Sequence, residues 1–189
     1  MRRCDWSYVD DLYLKYHDEE WGKAVFDDHR LFEMLILEMF QAGLSWHTIL
    51  KKRENFRQAF DSFDYVKISQ YDEQKINELM NNPGIIRNKL KIYSTIHNAK
   101  QFIKIQQEYG SFANYIWGFV NHQPIINHYQ SLKGIPATTA LSDQIAKDLK
   151  NKGFKFLGST IIYSYLQAVG VVDDHLDDCF CKGQGVKQD

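Results

Sequence analysis

The chain has 189 residues, 44% of them hydrophobic and 14% aromatic, enough for one domain with a sizeable core. The net charge of -1 excludes a generally basic surface, so any nucleic-acid-binding face must be local. No apolar run is long enough to span a bilayer, and three cysteines are too few for a disulfide framework.

The N-terminus, MRRCDWSYVDD, has no secretory apolar region. The expectation is a cytoplasmic protein without membrane contact, whose cysteines are thiols or metal ligands. Asp10 and Asp11 read as the start of a first helix running to about Trp21, with Leu12, Tyr13, Tyr16 and Glu20 on one side. Gly22 ends it, and Asp27 and Asp28 cap a very apolar second helix. Gly43 suits a left-handed stop, and Ser45 caps a third helix with Trp46, Ile49, Leu50, Arg53, Phe56 and Phe60 at helical spacing. Asp64 and Asp72 read as caps of two shorter helices. After the turn Asn82-Pro83-Gly84-Ile85, a long helix spans roughly 87–109, with Leu90, Tyr93, Ile96 and Ile103 on its apolar side. Ser111 caps a short aromatic helix, and 121–136 reads as irregular. Ser142 caps a basic helix stopped by Gly153, and 159–169 is a short buried helix ended by Gly170. No period-two pattern is sustained, so the fold class is all-α.

The second helix carries an anomaly. At about 100° per residue, Glu38 falls beside Leu31, Met34 and Ala42, away from the polar positions His29, Arg30, Glu33 and Gln41. A carboxylate on an apolar face is costly unless something hydrogen-bonds it. Rim exposure, an arginine partner or a backbone donor is the ordinary explanation. Trp46 lies one short turn away across the Gly43-Leu44-Ser45 corner, however, and Trp6, Tyr13, Tyr16 and Trp21 crowd the first part of the chain. An acid among aromatic plates suits a flat ring, and a cationic one would gain ~1–2 kcal/mol from the π faces.

Two further groups carry chemistry. Cys4 and His17 near one end, with His175 and Cys179 near the other, supply two thiolates and two imidazoles, a donor set for tetrahedral zinc. Cys181 is a possible substitute for Cys179, and ordinary thiols are the alternative. Four protein ligands would leave no open position, making the metal structural. The Asn82–Ile85 turn offers backbone N–H groups that can hold a phosphate, with Arg87, Lys89 and Lys91 nearby, although Pro-Gly also joins ordinary helix pairs.

These residues resemble the bacterial type I 3-methyladenine DNA glycosylases. The similarity runs through RCDW, Tyr16-His17-Asp18, Glu20-Trp21-Gly22, QAGLSW, LKKRENF, Gly84-Ile85-Ile86-Arg87, Phe119-Val120-Asn121-His122, GFKFLG and Asp174-His175, covering essentially the whole chain. The resemblance implies a helix-hairpin-helix glycosylase fold, with the catalytic aspartate of other such enzymes missing. It implies one structural zinc at Cys4, His17, His175 and Cys179. It also implies a base pocket of Glu38, Tyr16 and Trp46, with Trp6, Tyr13 and Trp21 as further walls. The hairpin at 83–86 departs from the Gly-apolar-Gly turn of the superfamily.

The expectation is therefore a single domain over 1–189. It has a helical core at about 28–170, metal-bound ends at 1–27 and 171–181, and a disordered tail at 182–189. The enzyme would excise 3-methyladenine from double-stranded alkylated DNA and leave an abasic site, without lyase activity or an obligatory protein partner. DNA contacts are expected from Gly84, Arg87, Lys89, Lys51 and Lys52.

Overall fold

Ten consecutive residues of the second helix, Leu31 to Phe40, are buried. Over that stretch the helix has no solvent face, because neighbours cover it on every side. The computed structural model describes residues 1–185. Their helices are α1 (Asp11–Glu19), α2 (Asp28–Gln41), α3 (Trp46–Ala59), α4 (Tyr65–Ser69), α5 (Glu73–Met80), α6 (Lys89–Tyr109), α7 (Phe112–Gly118), α8 (Ala140–Asn151) and α9 (Ser159–Ala168). Helix α2 packs against α3, α6, α7 and α9. One apolar cluster extends from Cys4 to Cys181.

The all-α expectation holds apart from one short parallel pair. β1 (Ile125–Ile126) aligns with β2 (Val172–Asp173), so the 121–136 connection is tied to the end of the chain. Side-chain caps close the expected helix starts: Asp10 accepts from Tyr13 N–H, Asp27 from Arg30 N–H and Ser45 from Thr48 N–H.

Several expectations need correction. Glu33 is buried, not on a polar side, because the Arg57 and Arg53 guanidiniums donate to its carboxylate at 2.5 Å and 3.4 Å. Arg53 also donates to both Glu20 oxygens, at 3.0 Å and 2.8 Å. On α6, Leu90 is 61% exposed and Tyr93 36%. Ile96 is buried as expected, and the rest of the buried side is Ile92, Ala99, Phe102 and Ile105. Four polar residues buried with it, Lys91, Ser94, Thr95 and Asn98, obscure its pattern; all are satisfied by hydrogen bonds. Thr139 caps α8, and Ser142 is its capping-box partner one turn later.

The expected disordered tail is ordered over 182–185. Lys182 donates to the carbonyls of Asn127 and His175, and Gly183 N–H donates to Asp173 Oδ2 at 2.8 Å. Residues 186–189 of that expectation lie outside the described residues.

Candidate active site and metal cluster

The corner between α2 and α3 builds the site. Helix α2 stops at Gln41, and Gly43 turns the chain at φ 81°, where a side chain would be strained. Ser45 Oγ then accepts from Thr48 N–H at 3.2 Å and starts α3 with Trp46. The corner thus returns Trp46 toward the face of α2 that carries Glu38.

Between them lies a cavity of about 210 Å³ lined by Trp6, Tyr13, Tyr16, Trp21, Glu38, Gln41, Trp46, Ile135, Ser164 and Gln167. It is smaller than the ~300–1,000 Å³ of most drug-sized pockets, and suits one flat base. The Tyr16 and Trp46 rings are 5.5 Å apart at 45°. Trp6 meets Tyr13 at 5.3 Å and Trp21 at 5.0 Å, both edge-on. The six aromatic and acidic residues expected in the pocket therefore share one wall.

Two polar atoms on that wall have no partner. Glu38 Oε2 and Trp46 Nε1 are buried without a hydrogen bond. Burial alone pushes the Glu38 carboxyl up to about 8, with no cation beside it to counter the effect. None of the ordinary explanations, rim exposure, an arginine partner or a backbone donor, applies: Glu38 is 4% exposed and unpaired. Burial, then the charges of Glu38 and Glu20, hold the Tyr16 hydroxyl well above its ordinary range, so it stays protonated and can donate.

A second cluster lies behind the Trp6–Trp21 wall. One donor atom each from His17, His175, Cys179 and Cys181 lies within 4.8 Å of every other. Cys4 falls outside this set but beside it: its Sγ accepts from Leu176 N–H at 3.4 Å, and its N–H donates to His17 Nε2 at 3.4 Å. A turn, not a helix, brings Cys179 round, with its N–H donating to Leu176 O at 2.9 Å. All three thiols are buried, and burial foremost raises Cys4 and Cys181 to about 12.

The donors suit a metal ion. Asp18 Oδ1 lies 2.8 Å from His17 Nδ1, and Asp173 Oδ1 lies 2.8 Å from His175 Nδ1. Each carboxylate fixes the tautomer that keeps the proton on Nδ1 and leaves Nε2 unprotonated, the form that can ligate. His175 Nε2 is buried with no partner. Burial lowers the His17 pKa, favouring the neutral ring that a metal needs. Gly22 makes room: at φ 77°, a Cβ there would come within 2.5 Å of His175 Cε1.

The family profile described as methyladenine glycosylase matches residues 6–182. The chain belongs to the methyladenine glycosylase family. It is 47% identical over 181 residues to DNA-3-methyladenine glycosylase 1 of Escherichia coli K12, covering 96% of this chain and 97% of that one. A crystal structure of 3-methyladenine DNA glycosylase I superposes with TM-score 0.93 at 49% identity, covering 96% of this chain and all of the other. A Y16F variant of 3-methyladenine DNA glycosylase I in complex with 3-methyladenine superposes with TM-score 0.93 at 40% identity, covering 96% and 98% of the two chains.

Four pocket residues of this methyladenine glycosylase escape the sequence reading. Ser164 and Gln167 had a signal: they are polar, i and i+3, in an otherwise apolar helix. Gln41 was assigned to the polar side, and Ile135 lies in an irregular stretch without periodicity. The expected DNA contacts are near the surface: Lys51, Arg87 and Lys89 are exposed, while Lys52 and Gly84 are half-buried. Gly84 N–H donates to Asn82 Oδ1 at 2.8 Å, so it is already engaged. A Cβ at Gly84 would meet Asn55 at 3.2 Å, which seats this turn against α3 one helical turn after Lys51.

Proposed function

We propose that Glu38, Tyr16 and Trp46 are the base-recognising groups of this DNA-3-methyladenine glycosylase. One observation carries the reading: a buried, unpaired carboxyl beside an unpaired indole N–H in an aromatic hollow. Methylation at ring nitrogen 3 makes adenine cationic and weakens its glycosidic bond, so little chemical assistance is required. The damaged nucleotide flips out of the duplex at a cost of a few kcal/mol. Its base enters against Trp46. Glu38 ionises toward the cation and accepts from the exocyclic amine side, while Tyr16 donates and orients the ring. Water attacks the sugar carbon as the glycosidic bond breaks; the bonding pair leaves with the base as neutral 3-methyladenine, and the water's surplus proton passes to solvent, leaving an abasic site. Hydrolysis without a lyase step is proposed.

The second cluster is proposed to hold one structural zinc, taking His17, His175 and Cys179 with a further thiolate from Cys4 or Cys181. With four protein donors it supplies no reaction chemistry and ties the two ends of the chain together. Four protein donors would leave no open position, which a metallohydrolase needs.

Double-stranded alkylated DNA is the proposed partner, held through phosphates by Lys51, Lys52, Arg87 and Lys89. The α8–α9 turn adds a second basic surface, where Lys147, Lys150 and Lys155 flank a groove ending at Gly158, the N-cap of α9. No side chain caps that helix, leaving its N–H groups suited to a phosphate.

Incubation with methylated duplex DNA, followed by chromatography of released bases, tests the function. Release of 3-methyladenine with the phosphodiester strand intact is expected. Duplex binding without base release would instead mark a noncatalytic DNA-binding module.

A further inference from the structure

Lys91 is 7% exposed and lies in the first turn of α6, where its N–H donates to Asn88 Oδ1 at 3.0 Å. Its Nζ crosses to the end of α2, donating to Phe40 O at 3.1 Å and Ala42 O at 2.9 Å. Those carbonyls belong to the last turn and cap of α2, where the helix cannot satisfy its own acceptors. They flank Gln41, a cavity residue, and lie between Glu38 and Trp46.

The geometry points to Lys91 as a positioning residue for base excision: its ammonium fixes the α2–α3 corner and so sets the placement of Trp46 against Glu38. This inference rests on the pocket reading above. The corner needs such a clamp. Ala42 leaves helical geometry at φ -50° and ψ 119°, and Gly43 takes φ 81° immediately after it. Gly43, Leu44 and Ser45 are exposed, so little packing holds the turn from outside. A cation at the negative end of α2 is also favourable there. The lysine charge goes to main-chain carbonyls and leaves Glu38 without a counter-charge; no cation offsets the carboxyl's burial. A base-binding acid thus stays available to a cationic ligand although a lysine anchors the adjoining turn.

The test compares Lys91→Met, which keeps length and removes the donors, with Lys91→Arg, which restores donors and charge. The readouts are free 3-methyladenine affinity, kcat and KM on methylated duplex, melting temperature, and the NMR resonance of the Trp46 indole N–H. Lys91→Met is expected to weaken base binding and kcat by about tenfold to a hundredfold, the range for small misplacements. KM for duplex should stay within about twofold, since the phosphate contacts remain. The Trp46 resonance should move, and Lys91→Arg should return it with most of the activity. A lowered melting temperature with base affinity within about twofold of the parent, and the resonance unmoved, would overturn the inference. If Lys91→Met does not fold, Lys91→Gln, which can reach at most one carbonyl, should show an intermediate loss. Parent-like binding and an unmoved resonance in that variant also overturn it. Failure of the pocket reading has a separate signature: Glu38→Gln binding the free base as the parent does. The Trp46 resonance then still judges Lys91.

Discussion

The Trp21 ring meets the His175 ring edge-on at 4.7 Å, so one indole touches both the aromatic cavity and the His/Cys cluster. Trp6 repeats the connection, 5.3 Å from His17 and 5.0 Å from Trp21. Metal removal is therefore expected to affect base binding as well as stability. Zinc analysis of protein purified without chelators should give one ion per chain. Chelation should lower the melting temperature and weaken free 3-methyladenine binding. Asp173→Asn removes the charge that orients His175 and should lower metal affinity about 10–100-fold. Protein that carries no zinc, or binds the base equally well after chelation, would break the link.

Gly22 tests the same cluster from the backbone side. Its φ of 77° and the 2.5 Å approach of a built Cβ to His175 Cε1 both oppose a side chain. Gly22→Ala is expected to destabilise by about 1–3 kcal/mol from backbone strain alone, and further by displacing the imidazole. Urea unfolding with and without zinc separates these contributions. A destabilisation that is the same with and without metal would assign the whole effect to the backbone.

Glu38 makes a pH prediction whose sign is fixed by burial. Its carboxyl titrates near 8 in the folded protein, against an ordinary value of 4.5. Between those pH values the native state holds a proton that the unfolded chain has released. Stability of the empty protein should therefore fall as pH rises from about 4.5 to 8, by at most ~1.4 kcal/mol per pH unit from this group. Glu38→Gln should flatten that slope. On methylated DNA, kcat/KM should rise toward pH 8 as the carboxylate forms, and Glu38→Gln should lose that rise along with most of the activity. A variant excising the base at the parent rate would remove Glu38 from recognition.

Much of the site can be read from the sequence because its anomalies are local. Glu38 interrupts an apolar period, and Gly43 and Ser45 mark the corner that turns Trp46 toward it. The cap residues fix most helix starts for the same reason. What could not be read depends on partners distant in sequence. Glu33 looks solvent-facing until Arg53 and Arg57, 20 and 24 residues later, reach it. Ile135 joins the pocket from a segment without periodicity. Spacing does not rank Cys179 against Cys181, because a turn rather than a helix carries them, nor Cys4, which comes from the other end of the chain.

The Glu33–Arg53 pair gives the sharpest stability prediction. Their side chains are 5% and 9% exposed, and Arg53 also holds Glu20. Arg53 Nε is already buried without a partner, so the guanidinium depends on its remaining contacts. Hydrogen bonds from Arg57 and attraction to both arginines outweigh burial and keep the Glu33 carboxyl below its ordinary range. Glu33→Ala removes one of the two carboxylates around Arg53, which keeps its pair with Glu20, and should therefore cost less than the about 3–5 kcal/mol of a fully stranded buried charge. Glu33→Gln retains an acceptor and should cost less. Neither residue lines the base cavity, so folded variant protein should bind 3-methyladenine normally in a titration below its melting temperature. An alanine variant as stable as the parent in urea would show that water or a rearranged Glu20 satisfies Arg53.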